Sequence, residues 1–217
     1  MKPIIISISG KSGVGKTTIS NVMSHCIGIS KCLVLSTDDL HKYDRHDPSW
    51  KEITHFNPIA NNIELGDFHI SNLSKEKTIY RSIYNHSTGT FDPPILMTSK
   101  PFIINEGLHA YYSKKMKQLS DFKIYVDTDN ELTTLWKVNR DIKYREKSKT
   151  EVLKSIESRK HDEHFIESQK QDADLIVKFY LHNGEVNLSI NRTRKNKNLL
   201  FDKIINDLVN YFNEISS

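Results

Sequence analysis

The sequence predicts an α/β fold, a mostly parallel β-sheet with helices on both faces. Three observations predict it. Short apolar segments of strand length recur at residues 4–8, 31–36, 101–105, 122–126 and 173–178. Stretches of helical character separate most of them, and such alternation gives a parallel sheet covered on both sides. The first segment runs into a glycine loop and then into residues 18–27, which lack Pro and Gly and read as a helix.

Taken in order, residues 4–8 (Ile-Ile-Ile-Ser-Ile) form the first buried strand. Residues 31–36 are apolar and β-branched enough for a second. Residues 77–97 alternate Ile79, Arg81, Ile83 and Asn85, turn at Ser87-Thr88-Gly89-Thr90 and return through Phe91-Asp92-Pro93-Pro94. They predict a β-hairpin inserted at the rim of the sheet. The third core strand, 101–105, opens on Pro101, where proline is tolerated. After the strand at 122–126, residues 129–145 are helical in character, and the charged segment 143–160 reads as a helical lid. The strand at 173–178 is followed by an Asn183-Gly184 turn and a short edge strand at 186–190. A last helix over about 198–215 carries Leu200, Ile204, Leu208 and Phe212 on one face and closes the core. The 217 residues suffice for a single domain over 1–217, with no repeat, low-complexity segment or linker.

Apolar content of 37% and charged content of 27% fit a soluble globular protein. No apolar run is long enough to span a bilayer, so no membrane partner is expected. The first strand begins too early to leave room for a signal peptide. Cys26 and Cys32 form neither a metal spacing nor a disulfide framework, and a cytoplasmic protein is expected. A net charge of +4 suits anionic small molecules and gives no reason to expect nucleic acid. The basic cluster Arg192-Thr193-Arg194-Lys195-Asn196-Lys197 reads as a solvated loop.

Gly10-Lys11-Ser12-Gly13-Val14-Gly15-Lys16-Thr17 spells G-x-x-x-x-G-K-T between a strand and a helix, the context of a phosphate-binding P-loop. Its glycines let backbone N–H groups turn inward as an anion nest, and the helix N-terminus adds partial positive charge. Lys16 reaches the β- and γ-phosphates of a nucleoside triphosphate, and the Thr17 hydroxyl can ligate Mg2+. The expected nucleotide contacts are Gly10, Ser12, Gly13, Val14, Gly15, Lys16, Thr17 and Thr18. A plain Gly/Ser turn is the alternative.

Directly after the second strand come Ser36-Thr37-Asp38-Asp39-Leu40-His41-Lys42-Tyr43-Asp44-Arg45. Adjacent carboxylates point in different directions, so one can face a cleft and take a hydroxyl proton while the other caps or pairs. Arg45 offers a planar fork for carboxylate or phosphate. The alternative is a helix N-cap at Thr37 or Asp38 followed by a surface turn. Glu106 ends the third strand, where a carboxylate can hold Mg2+ or its water shell. Lys137, Arg140 and Asp141 share one helical face, and Arg145 follows one turn on. A basic lid of this kind excludes water and stabilises a transferring phosphoryl group, although most charge runs are solvated faces.

These residues resemble the phosphoribulokinase/uridine kinase family, whose members are P-loop NTPases. Asp38-Asp39-Leu40-His41-Lys42-Tyr43-Asp44-Arg45 is similar to D-D-Y-H-x-x-D-R, and Thr54-His55-Phe56-Asn57-Pro58-Ile59-Ala60-Asn61 to T-x-x-x-P-x-A-N. Ile83-Tyr84-Asn85-His86-Ser87-Thr88-Gly89 resembles P-x-Y-N-H-x-T-G, with Ser82 where the proline usually sits. Ile104-Asn105-Glu106-Gly107-Leu108-His109 resembles I-x-E-G-L-H, the stretch from Trp136 to Arg145 resembles W-K-x-x-R-D-x-x-x-R, and Gln169-Lys170-Gln171-Asp172-Ala173-Asp174 resembles Q-K-x-x-A-D. The Tyr-Asn-His-x-Thr-Gly and His-x-x-x-Arg features lean to the phosphoribulokinase branch.

The resemblance implies an ATP-dependent kinase that moves the γ-phosphoryl group to a hydroxyl of a small sugar phosphate, with ATP and Mg2+ as cofactors. It implies Asp38 as general base with Lys16, Lys137 and Arg140 as catalytic cations. Thr17 and Glu106 would serve the metal, and Arg140 and Arg145 the nucleotide phosphates. Asp38, His41, Arg45, Tyr84, His86 and Glu106 would line the acceptor side, and Asp141 would hold metal or lid arginines. Redox-regulated plant members have a cysteine where this chain has Val14, so thioredoxin control by that route is not expected. Family members are often dimers or larger, which admits a homo-oligomer. Two alternatives stand beside this reading. A uridine or nucleoside kinase is opposed by Arg45 and His41, and a nucleotide-binding regulator without acceptor by Asp38 and the lid arginines.

Overall fold

Alternation of strand and helix does produce an α/β sheet in the computed structural model, which describes residues 2–145, 147–193 and 199–216, with side chains up to 212. The chain runs through β1 (Ile4–Ser9), α1 (Lys16–Ile27), β2 (Cys32–Ser36), α2 (Ile63–Leu73), β3 (Ile79–Arg81), β4 (Tyr84–Asn85), β5 (Thr90–Phe91) and β6 (Ile95–Met97). It continues through β7 (Phe102–Gly107), α3 (Lys114–Leu119), β8 (Phe122–Thr128), α4 (Asn130–Arg145), α5 (Lys149–Glu157), α6 (Glu163–Glu167), β9 (Leu175–His182), β10 (Glu185–Arg192) and α7 (Leu199–Ser216). The central sheet has the order β10-β9-β8-β1-β7-β2. Strands β2, β7, β1, β8 and β9 are parallel, and β10 pairs antiparallel with β9.

Successive residues of a strand point to opposite faces, and the core divides accordingly. Ile6 and Ile104 face the layer of Ile19, Met23, Phe201 and Leu208 from α1 and α7. Ile5 and Ile103 face Ile70, Leu73 and Met116 from α2 and α3. The serines of β1 are buried but satisfied: Ser7 Oγ and Ser120 Oγ lie 2.7 Å apart, and Ser9 Oγ donates to the Leu108 carbonyl at 3.1 Å. Gln169 is fully buried and locks the end of β7, donating to the Leu108 carbonyl and accepting from the Tyr111 amide. No helix among the described residues is long and apolar enough to cross a membrane.

Two expectations need correction. Residues 77–97 form two ladders in place of one hairpin, with β3 against β6 and β4 against β5. Arg81 and Tyr84 both reach Asp39, which bends the chain between them, and Pro93 and Pro94 cannot donate to a continuing ladder. The edge strand is also longer than expected, spanning Glu185–Arg192 in full pairing with β9. Of the basic cluster, Arg192 pairs with Asp202 at 2.5 Å and Thr193 donates to the Ala173 carbonyl. Residues 194–197, and the expected helix start at 198, lie outside the described residues.

Candidate active site

The P-loop connects β1 to α1, and Gly15 caps the helix in the left-handed region at φ 96°. Gly13 has φ 90°, and a Cβ there would sit 3.0 Å from Lys137 Cβ, so glycine is what lets α4 pack onto the loop. Thr128 Oγ1 donates to the Val14 carbonyl at 2.9 Å and pins the loop to β8. Lys16 Nζ lies in the mouth of the loop, donating to the carbonyls of Gly10 (2.9 Å) and Lys11 (2.8 Å). Burial lowers its pKa, against the raising influence of Glu106 and Asp38. Thr17 Oγ1 donates to Glu106 Oε1 at 3.3 Å, so the residues expected to serve a metal meet. Burial raises the pKa of Glu106 against the pull of Lys16. Hard oxygen donors of this kind, completed by phosphate and water, suit Mg2+, which does not need a protein cage.

Two expected nucleotide contacts are placed differently. The Val14 side chain is 1% exposed and belongs to the core, which leaves only its backbone to face a ligand. Thr18 points to the other flank of the loop, where it lines a second cleft with Trp136 and Phe179.

The acceptor side is built on the turn after β2. Ser36 Oγ accepts from the Asp38 amide at 3.2 Å, so Ser36 is the cap, where Thr37 or Asp38 was the alternative. The two carboxylates then diverge as expected. The Asp39 side chain is 7% exposed, accepts from Arg81 Nε at 3.2 Å and from the Tyr84 amide at 2.9 Å, and so anchors the inserted ladders. Burial raises its pKa, against Arg81. Asp38 faces a cleft of about 810 Å3 shared with Lys16, Thr17 and Glu106. Burial opposes its ionisation, but His86, His41 and Lys16 outweigh it and hold the carboxyl well below the ordinary range. His86 Nε2 is 3.5 Å from Asp38 Oδ2, and its Nδ1 is 3.2 Å from Arg145 Nη2.

His41 and Tyr84 make an edge-to-face pair (5.2 Å), and Trp50 stands against His41 at 5.9 Å. Among the described residues, the His41 Nε2 atom is buried without a hydrogen-bond partner. Arg45 donates to the carbonyls of Ser87 (3.4 Å) and His86, and its amide donates to the Gly89 carbonyl at 2.7 Å. Gly89 (φ 78°) admits this contact, since a Cβ there would lie 2.5 Å from Arg45 Cβ. Arg45 thus joins the inserted ladders to the cleft.

The lid completes the ring. Asp141 Oδ1 accepts from Arg140 Nε at 2.8 Å and lies 3.6 Å from Arg145 Nη1, so it holds the lid arginines. Arg140 Nη2 reaches Ser12 Oγ at 3.5 Å. The sequence reading singled out neither Arg159 nor Lys147, and both line the cleft. Arg159 lies over the Phe56 ring at 5.7 Å, and burial pushes its pKa down to about 10. Neither makes an ion pair with a carboxylate among the described residues. The only sequence signal was membership in the charge run, which reads equally well as a solvated face.

Lys137 is 3% exposed, and burial, with Arg159 nearby, lowers its pKa to about 7. An unfolded lysine titrates near 10.4, so between about pH 7 and 10.4 the unfolded chain binds more protons and stability rises with pH. The burial penalty is fully present below pH 7. Lys137→Met is expected to remove that rise and to add about 1–4 kcal/mol of stability below pH 7. Denaturant unfolding of both proteins across pH 6–11 checks this, and parallel curves would place the Lys137 ammonium in solvent.

A family model, that of the phosphoribulokinase/uridine kinase family, matches residues 5–184. The chain is 35% identical over 175 residues to a phosphoribulokinase of Synechocystis sp., covering 80% of this chain and 53% of that one. It is 34% identical over 192 residues to the chloroplastic phosphoribulokinase of Spinacia oleracea, covering 80% and 48%. It is 30% identical over 184 residues to the uridine kinase of Listeria innocua, covering 81% and 87%. The chain therefore spans about half the length of the phosphoribulokinases it matches. Among solved structures, the phosphoribulokinase from Rhodobacter spheroides has the same fold, with a TM-score of 0.68 at 18% identity over 92% of this chain and 84% of that one.

Proposed function

The chain belongs to the phosphoribulokinase/uridine kinase family, and we propose that it transfers the γ-phosphoryl group of ATP to a hydroxyl of a small sugar phosphate. The observation that carries this is one cleft in which Asp38 faces Lys16, Thr17 and Glu106 while Arg45, Lys147 and Arg159 line the same space. Three cations with no carboxylate partner among the described residues, set near a candidate base, suit an acceptor that carries its own phosphate.

In this reading the acceptor hydroxyl hydrogen-bonds to ionised Asp38. Its oxygen bonds to the γ-phosphorus, the bond to the β–γ bridging oxygen breaks, and the hydroxyl proton passes to Asp38. Lys16, Arg140 and Arg145 offset the charge on the phosphoryl oxygens, and the lid helices keep out water as a competing acceptor. Mg2+ would be held through Thr17 and Glu106 and would supply charge neutralisation at the phosphates when bound. His86 holds Asp38 in place from one side, and Tyr84 and His41 wall the acceptor.

An ADP-release assay against pentulose phosphates, other sugar phosphates and nucleosides tests the proposal. A second reading, a nucleoside kinase, is favoured by the aromatic wall of Trp50, His41 and Tyr84 and by the 87% coverage of the Listeria innocua enzyme. Turnover of nucleosides alone would establish it in place of the first.

Arg45→Ala separates the two. The variant is expected to raise KM for a phosphorylated acceptor about ten- to a hundredfold, the scale of one charge-assisted bond, and to leave KM for ATP unchanged. Steady-state kinetics on one sugar with and without its phosphate decides the matter. An effect of equal size on both forms would mean that Arg45 serves only to hold the inserted ladders.

A further inference from the structure

The P-loop carries a second lysine, Lys11, whose side chain runs to α6 and not into the catalytic cleft. Its ammonium donates to Glu163 Oε2 at 3.1 Å and to Glu167 Oε1 at 3.4 Å, two carboxylates one turn apart. The Lys11 carbonyl accepts from Lys16 Nζ at 2.8 Å, so one residue touches both the phosphate-binding ammonium and α6. The stretch containing α6 is gripped from its other side by residues 54–57. Thr54 Oγ1 donates to Asp162 Oδ2 at 2.8 Å, and Asn57 Nδ2 donates to Asp162 Oδ1 at 3.5 Å. Ile166 packs with Phe56 and Leu108 in a small apolar cluster. Arg159 opens the same stretch, lies over the Phe56 ring and lines the cleft. Residues 159–167 are thus fastened to the P-loop on one side and to 54–57 on the other, and they carry a cation of the acceptor side.

Resting on the kinase reading, we infer that Lys11 is a positioning residue that couples nucleotide binding to the acceptor side through residues 159–167. A phosphate chain seated in the P-loop fixes the backbone of residues 10–15 through its N–H groups. The Lys11 stem starts from that backbone and its ammonium ends on two carboxylates, so an ordered loop holds α6 in one place. Asp162 and Ile166 pass the constraint to Thr54, Asn57 and Phe56, and Arg159 is kept over Phe56 at the cleft wall. Such coupling is reciprocal, so whatever orders 54–57 and Arg159 also favours the loop that receives the nucleotide. The Lys11 and Glu163 side chains keep contact with water, at 17% and 27% exposed, and pairs of this kind add little to stability. Removing the pair therefore reads out orientation and not folding.

Hydrogen exchange of the full chain, with and without saturating ADP and with no acceptor present, tests this. In the wild type, ADP is expected to slow amide exchange in residues 54–57 and 159–167 about five- to tenfold, the lower range of coupling between two sites. Lys11→Met should lose this ADP-dependent protection in both stretches, and Lys11→Arg should keep it. Thr54→Val separates the two steps: protection should remain in 159–167 and disappear from 54–57. The double variant Glu163→Gln, Glu167→Gln leaves the P-loop sequence intact and should behave as Lys11→Met does. It decides the matter where Lys11→Met fails to fold. Protection of 54–57 that survives in either of these variants, or that is missing from wild type with ADP bound, would overturn the coupling and leave the kinase reading standing. Wild type that binds no ADP would overturn the kinase reading and the coupling with it.

Discussion

Lys16→Ala is expected to lower phosphoryl transfer by about 10³-fold or more and to weaken ATP about ten- to a hundredfold. The ammonium sits in the mouth of the P-loop, already desolvated and held by the Gly10 and Lys11 carbonyls. A triphosphate bound there would exchange neutral carbonyl partners for two anionic ones, and the bond would strengthen most as charge moves to the β–γ bridging oxygen. Lys16→Arg should not restore turnover, because a planar guanidinium cannot occupy the space of a tetrahedral ammonium between two carbonyls. Turnover and nucleotide affinity of both variants are the measurements. Near wild-type turnover in Lys16→Ala would remove the kinase reading, whatever the acceptor. Unfolding midpoints serve as the control, and removal of a buried charge should leave them equal or higher.

The parts legible in the sequence were those written as short contiguous strings. Gly10 to Thr17 must be contiguous because one turn of backbone has to cradle one phosphate chain. Asp38 and Asp39 are adjacent because a single turn sends one into the cleft and one under the inserted ladders. The parallel strands were legible because burial on both faces demands continuous apolar runs, as in Ile4–Ser9. The remainder of the site is assembled through space. Arg159 gains meaning only from Phe56, about a hundred residues earlier in the chain, and from the cleft that Arg159 lines. Lys137 reads as one cation on a basic helix face, and its burial follows only from Gly13, which lets the P-loop pack onto it. Thr18 is one residue from the phosphate cradle, yet the helical rotation of α1 turns it to the other flank. The paired ladders in 77–97 depend on Asp39 gripping Arg81 and Tyr84, a contact that no local pattern encodes.

Asp38→Asn and Asp39→Asn are expected to fail in different ways, and that contrast is the sharpest test of the site. Asp38→Asn keeps the shape of the side chain and removes its capacity to take a proton. The expected loss in kcat is about 10²–10⁴-fold, with ATP affinity and unfolding midpoint nearly unchanged. Asp39 holds a buried guanidinium at 3.2 Å, with the Arg81 side chain 2% exposed. Its amide variant leaves that charge without a counter-ion, and breaking one side of a buried pair costs about 3–5 kcal/mol. Asp39→Asn should therefore lose stability first, and the molecules that remain folded should retain more turnover than Asp38→Asn. Asp39 also accepts from the Tyr84 amide, so its loss should loosen the ladders that carry Tyr84 and His86. That would appear as a raised KM for the acceptor before any fall in kcat. Thermal unfolding and steady-state kinetics on the same preparations give both axes. A stable Asp39→Asn with the larger kcat defect would make Asp39 the base and Asp38 its support, and the ion pair with Arg81 would then have to open during turnover.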